Sequence, residues 1–210
     1  MAVRLESFSK TYGTIMVLEV PDLTWDPGLY WIKGENGSGK STLLKSMAGL
    51  VPFEGDVILG DTLSLKKHPV DYRRHVNYSE AEPLYPGFLT GRDLVQFVAR
   101  CKQAQDNQVV EIVSALGVHK FMLQSTGTYS SGMLKKLSLS IAFLGNPMLI
   151  LLDEPLITLD DQARENFHQL VKSKLREDVV ILMSSHQSVE TSELPITGRF
   201  EIREKALIEC

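Results

Sequence analysis

Two short runs in this chain are apolar at every position. Met148-Leu149-Ile150-Leu151-Leu152 lies between Pro147 and Asp153, and Val179-Val180-Ile181-Leu182-Met183 follows later. Runs of this length without a polar face are predicted to be strands buried on both faces of a parallel sheet. The stretch between them, from about Asp161 to Leu175, is predicted as a helix and completes a βαβ unit. The opening third reads differently. Val3, Leu5 and Ser7 alternate with Arg4 and Glu6, and Val17 to Val20 follow, which predicts short strands broken by Gly13 and Pro21. Because the opening segment alternates and carries charge, it is read as a first strand and not as a signal peptide. Asp26-Pro27-Gly28 is a turn signal. Leu29 to Lys33 is then a strand rich in aromatic and β-branched residues.

A helix is predicted from about Gly39 to Leu50, ended by Gly49 and Pro52, and a strand from Glu54 towards a turn at Gly60-Asp61. From Gly91 to about Gln124 no strand pattern is visible. Leu94, Val95, Phe97 and Val98, then Val109, Ile112, Val113 and Leu116, recur at helical spacing. This is read as a small helical insertion whose apolar stripes are core. Another helix should begin near Ser131 and run to Leu144, where Gly145-Asn146-Pro147 stops it. Phe200, Ile202, Leu207 and Ile208 predict a closing hairpin. No internal repeat is present.

Composition narrows the class. The 210 residues are 43% hydrophobic and 23% charged, the balance of an ordinary globular domain and not of a disordered or collagen-like chain. The net charge of -4 supplies no global basic field to favour nucleic acid. No stretch approaches the ~18 consecutive apolar residues of a membrane span. Cys101 and Cys210 are far apart and lack CxxC partners, so they are read as free thiols in a reducing compartment.

The strongest chemical signal is Gly34-Glu35-Asn36-Gly37-Ser38-Gly39-Lys40-Ser41, which fits the phosphate-loop pattern GxxxxGK[ST]. Glycines let consecutive N–H groups point at phosphate oxygens, and the following helix offers the positive end of its dipole. Lys40 is the candidate for the β- and γ-phosphates, Ser41 for Mg²⁺ and Thr42 for the α-phosphate. The second signal is the buried strand ending in Asp153-Glu154. In open α/β sheets ligands sit at the carboxyl ends of strands. Asp153 is the candidate for the Mg²⁺ hydration shell, and Glu154 for the acceptor of a proton from the attacking water. His186 follows the second apolar run and falls on the same rim, where a γ-phosphate contact fits. His68, His75, His119 and His168 have no comparable context.

With these residues in order, the chain resembles the nucleotide-binding domain of an ATP-binding-cassette (ABC) transporter. Tyr12, in Phe8-Ser9-Lys10-Thr11-Tyr12-Gly13, matches the aromatic residue on which adenine stacks in that family. Gly34 to Thr42 matches its phosphate loop. Tyr129-Ser130-Ser131-Gly132-Met133 falls where the family has its signature, usually Leu-Ser-Gly-Gly-Gln. Leu149 to Glu154 matches the Mg²⁺ strand and catalytic glutamate, Thr158-Leu159-Asp160 the dimer-contacting D-loop, and His186 the switch histidine.

The resemblance implies an α/β fold: a phosphate-loop core with a mostly parallel sheet, an N-terminal antiparallel β layer, and a helical subdomain. Residues 1–210 would form one domain, with the helical subdomain at about 91–145. It implies ATP and Mg²⁺ as cofactors and a head-to-tail dimer, homomeric or heteromeric. In that dimer Ser130 and Gly132 of one subunit would clamp the nucleotide on the other's phosphate loop. It also implies a separate transmembrane permease subunit docked near residues 77–100, with the chain peripheral on the cytoplasmic face of the membrane. No nucleic-acid partner is implied.

Pro86 to Asp93, the Ser-Gly-Met end of the signature and the lack of a C-terminal regulatory extension resemble ABC-2-type exporters. Two departures stand out. Ser131 and Met133 replace the signature glycine and glutamine. In Val76 to Pro83, ungapped alignment puts Ala81 where the family has its Q-loop glutamine, with Glu80 or Glu82 as substitutes. Slow or partner-dependent hydrolysis is therefore expected. Two alternatives stay open: a soluble ABC ATPase acting on nucleic acid or the ribosome, and a phosphate-loop kinase of small metabolites. The kinase reading leaves the signature and D-loop matches unexplained.

Overall fold

The computed structural model describes residues 1–186 and 194–210. The two apolar runs form adjacent parallel strands inside the parallel wing of the sheet, labelled here in chain order as β8 (Leu149–Asp153) and β9 (Val180–Ser185). Their side chains alternate between two cores. Leu149, Leu151, Val180 and Leu182 pack with Leu43, Leu44 and Met47 of helix α1 (Lys40–Met47). Ile150, Leu152, Ile181 and Met183 pack on the other face. There they meet Leu137 and Leu139 of α5 (Ser131–Ala142) and Phe167 and Val171 of α6 (Asp161–Lys174). A strand covered on both sides has no polar face to display, which is why these runs lack alternation. Each such fully buried aliphatic side chain contributes about 1.5–3 kcal/mol.

β4 (Gly28–Lys33) lies beside β9, and β7 (Val76–Ser79) beside β8, all parallel. β10 (Ile196–Arg203) extends this wing past β4 and turns back through β11 (Ala206–Glu209), the expected closing hairpin. β11 pairs with β2 (Ile15–Val20) and so joins the parallel wing to an antiparallel one. That second wing holds β1 (Val3–Tyr12) between β2 and β5 (Glu54–Leu59), with β3 (Leu23–Trp25) also on β1 and β6 (Leu63–Ser64) at the edge. The N-terminal antiparallel strands are thus one half of a single curled sheet.

In β1 the expected alternation holds through Leu5 and then shifts. Ser7 takes a left-handed φ of 45° and its N–H bonds Asp22 Oδ1 at 2.8 Å. This bulge moves the inward set to Phe8 and Lys10. Beyond β6, α2 (Pro69–Arg74) begins with proline at its first turn. The helical stretch holds α3 (Gly91–Cys101) and α4 (Asp106–Ala115). Thr90 opens α3 with a reciprocal cap: Asp93 N–H donates to Thr90 Oγ1 at 3.1 Å, and Thr90 N–H to Asp93 Oδ2 at 2.9 Å. No helix among the described residues is long and apolar enough to cross a membrane.

One consequence of this topology sets the chemistry. Because β4, β9, β8 and β7 run parallel, their carboxyl ends share one rim. From that rim β4 leads into Gly34, β8 into Glu154, β9 into His186 and β7 into Glu80. Residues far apart in sequence therefore meet at one end of the sheet.

Candidate active site

The loop after β4 is built so that only glycine fits at key points. Gly37 and Gly39 have φ of 78° and 112°, a region L-residues rarely occupy. A β-carbon on Gly34 would lie 2.6 Å from Ser38 Oγ. Gly39 precedes α1 and supplies no side-chain cap, so the first N–H groups of α1 are left for an external oxygen. Lys40 is buried, and its Nζ donates to Gly34 O at 2.7 Å and Glu35 O at 3.0 Å. Among the described residues two of its three donors are used, which leaves one for a ligand. Ser38 Oγ is buried with no hydrogen-bond partner among the described residues.

The loop borders a cavity of about 380 Å³. It is lined by Asn36, Gly37, Gly39, Lys40, Ser41 and Thr42 on one side, and by Ala81, Glu82, Glu154, Ile157 and His186 on the other. A glycine cradle, an orphaned hydroxyl, a partly free ammonium and the hydroxyls of Ser41 and Thr42 fit a polyphosphate with a divalent cation.

At the end of β8 the two carboxylates have different surroundings. Asp153 is buried; its Oδ1 accepts from Ser184 Oγ at 2.6 Å and its Oδ2 from Tyr78 OH at 3.4 Å. Burial, then the Asp153 charge, pushes the Tyr78 hydroxyl far above its usual range, so it stays a donor. Glu154 is a non-glycine residue at φ 46°, a conformation that costs about 1 kcal/mol or more. Its N–H is held by Ser184 Oγ at 3.2 Å. This turn sends the side chain into the cavity, where Oε1 lies 3.0 Å from His186 Nδ1. Glu154 and His186, predicted from separate strands, are thus brought together. Asp153 lies behind Glu154 and does not line the cavity.

Other predicted residues stand apart. Tyr12 ends β1 with 51% exposure, and Lys10 Nζ sits 4.3 Å from its ring centroid. Neither lines the phosphate-loop cavity. Ser130 caps α5, its Oγ accepting from Met133 N–H at 3.3 Å. A β-carbon on Gly132 would approach Thr158 O at 3.0 Å, so the signature packs against the Thr158-Leu159-Asp160 loop. Asp160 caps α6 through Ala163 N–H at 2.8 Å and pairs with Lys136 of α5 at 2.5 Å. Ser130 and Gly132 do not reach the cavity within one chain.

The segment after β7 separates the Q-loop candidates into two groups. Ala81 and Glu82 line the cavity. The Glu80 carboxylate instead pairs with Lys45 of α1 at 3.3 Å. The sequence reading missed Tyr78, Ser184 and Lys135. Lys135 Nζ donates to Glu80 O at 2.7 Å, Ala81 O at 3.2 Å and Asp153 O at 2.8 Å. Burial pushes this amine down to about 8 against the upward pull of Asp153, Glu154 and Glu80. One signal was available: Lys135 stands at i, i+3, i+7 spacing with the buried Ser138 and Ala142.

Comparison with known proteins agrees with this geometry. The profile of the ABC transporter family matches residues 22–157. The chain is 25% identical over 208 residues to the lantibiotic transport ATP-binding protein SrtF of Streptococcus pyogenes, covering 99% of this chain and 90% of that protein. It is 31% identical over 190 residues to the ABC transporter ATP-binding protein YtrB of Bacillus subtilis, covering 88% of this chain and 63% of YtrB. It is also 30% identical over 186 residues to the mouse retinal-specific phospholipid-transporting ATPase ABCA4, but spans only 8% of that protein. A solved ATP-binding subunit of an ABC transporter superposes with a TM-score of 0.86 at 23% identity, over 99% of this chain and 88% of that one. The chain belongs to the ABC transporter family, as an ATP-binding domain of the kind that hydrolyses ATP to power transport.

Proposed function

We propose that this chain is the ATPase subunit of an exporter, acting as a dimer on a separate membrane-spanning subunit, at the cytoplasmic face of the membrane. The observation that carries it is the single cavity in which the phosphate loop, Glu154 and His186 face one another. In this reading the N–H groups of Asn36 to Thr42 and the free donor of Lys40 hold the phosphates, and Tyr12 stacks the adenine. Ser41 would ligate Mg²⁺ and Asp153 would hold its hydration shell; when bound, the ion neutralises phosphate charge.

Glu154 has one carboxylate oxygen on His186. The other is available to take a proton from water. The water oxygen bonds to the γ-phosphorus, the bond to the β-bridging oxygen breaks, and ADP and phosphate leave. His186 fixes the orientation of Glu154 and lies within reach of the departing phosphate. Ser130 and Gly132 would come from the second copy, since within one chain they lie outside the cavity.

For the membrane subunit, Leu84 and Phe88 offer an apolar docking surface, 85% and 84% exposed beside the cavity segment. The resemblance of the Pro86–Asp93 segment to ABC-2-type exporters supports the export direction.

The test is capture of the tagged chain from detergent-solubilised native membranes. A polytopic membrane protein in fixed proportion is expected. Recovery only from the soluble fraction, with ribosomes or DNA attached, would overturn the transporter reading in favour of a soluble ATPase.

A further inference from the structure

We infer that Lys135 is a positioning residue for hydrolysis: its buried ammonium ties the Glu80–Ala81 backbone to the carbonyl of Asp153, and so sets the separation between the Ala81–Glu82 wall and Glu154. Lys135 is 1% exposed. All three of its donors are used, on three carbonyls at 2.7, 3.2 and 2.8 Å. The β7–β8 ladder ends at the pair Ser79 and Leu152. Glu80, Ala81 and Asp153 lie just past that end, where the lysine takes over the work of the ladder.

The placement matters because each tied carbonyl adjoins a cavity residue. Ala81 and its neighbour Glu82 line one wall, and Glu154 follows Asp153 directly. A second strut acts from the other side: Lys45 of the phosphate-loop helix holds the Glu80 carboxylate at 3.3 Å. Between the two lysines, the segment after β7 is fixed to both α1 and α5. A buried amine carries a desolvation penalty that an apolar side chain of the same length avoids. What the amine adds is the fixed geometry of two strand ends. Lys135 also sits on the helix that Ser130 caps. A shift of that helix on meeting a second copy would therefore be felt at Glu154 and at the Ala81 wall together.

The inference rests on Glu154 being the carboxylate that takes the proton, and the test separates the two. Steady-state ATPase kinetics of the full chain, the equilibrium affinity for mant-ATP with Mg²⁺, and thermal unfolding are measured for wild type, Lys135→Met, Lys135→Gln and Glu154→Gln. Lys135→Met is expected to lower kcat about tenfold or more, with mant-ATP affinity changed by less than about threefold, since it leaves the phosphate loop intact. Lys135→Gln keeps an amide donor and is expected to fall between Lys135→Met and wild type. If Lys135→Met does not fold, Lys135→Gln carries the test through a lower kcat at unchanged affinity. A kcat within twofold of wild type in the folded variants, or losses of kcat and affinity that move together, would overturn the inference. Wild-type turnover by Glu154→Gln would instead remove the reading of Glu154 on which it stands.

Discussion

Two helices in this chain begin after a glycine- and serine-containing loop, and their N-termini are built in opposite ways. Before α1, Gly37 and Gly39 sit at positive φ and no side chain caps the helix. Lys40 bridges the loop with a donor to spare. Before α5, Tyr129 and Ser130 have ordinary extended conformations, and Ser130 caps Met133 with its own hydroxyl. The first end is left incomplete and enclosed, so an anion completes it. At the second, the Ser130 hydroxyl already caps one N–H, and the end is backed by the Thr158 loop. Both are partial positive charges of similar size. Only the first has the surroundings to hold a phosphate by itself, and the second adds to a site formed elsewhere.

The contrast breaks most sharply at Lys40. Lys40→Ala is expected to lower kcat/KM for ATP about 100-fold or more, read from steady-state phosphate release, and nucleotide affinity should fall with it. Turnover like wild type would remove the spare donor from the account. Next in size is the backbone itself. Gly39→Ala forces a side chain into φ 112° and within 3.3 Å of Val17 Cγ1, so it should destabilise by about 1–3 kcal/mol in urea unfolding and weaken ATP binding. At the second helix the corresponding change is mild. Ser131→Gly should cost about 0.5 kcal/mol in stability and raise turnover, because glycine admits a closer phosphate. Equal destabilisation by the two changes would erase the distinction. The smallest effect is expected at Ala81. Ala81→Gln places an amide on the cavity wall and should raise kcat by a few fold; an unchanged rate would assign the water-orienting role to another residue.

The same contrast explains what the sequence made legible. The phosphate loop could be read because each glycine answers a backbone demand that no other residue meets. β8 and β9 could be read because full burial removes polar positions. β7 was overlooked because Asn77 and Ser79 interrupt its apolar pattern. Both are buried, with the Asn77 amide donating to Ala142 O at 2.9 Å and Leu144 O at 2.8 Å, and Ser79 Oγ 2.9 Å from Ser138 Oγ. β3 and β6 are too short, at 3 and 2 residues, to show a period. At the site, Glu154 and His186 were legible as strand ends, but Ser184, which holds both Asp153 and the Glu154 N–H, was not. A serine that follows an apolar run looks like a strand terminator. Lys135 was missed because a lysine on a helix is usually solvent-facing. Tyr12 was found through the family resemblance alone, and the fold places it outside the phosphate cavity.

The central claim is that an uncapped helix end on one chain and a capped one on another enclose a single nucleotide. Its most direct test is the mass of the Glu154→Gln protein by multi-angle light scattering, with and without MgATP. Hydrolysis would otherwise dissolve the clamp, and this change removes it while leaving the phosphate loop in place. The account predicts a monomer without nucleotide and a dimer with MgATP, lost again when Lys40→Ala is added. A monomer at saturating MgATP, with bound nucleotide confirmed, would contradict it.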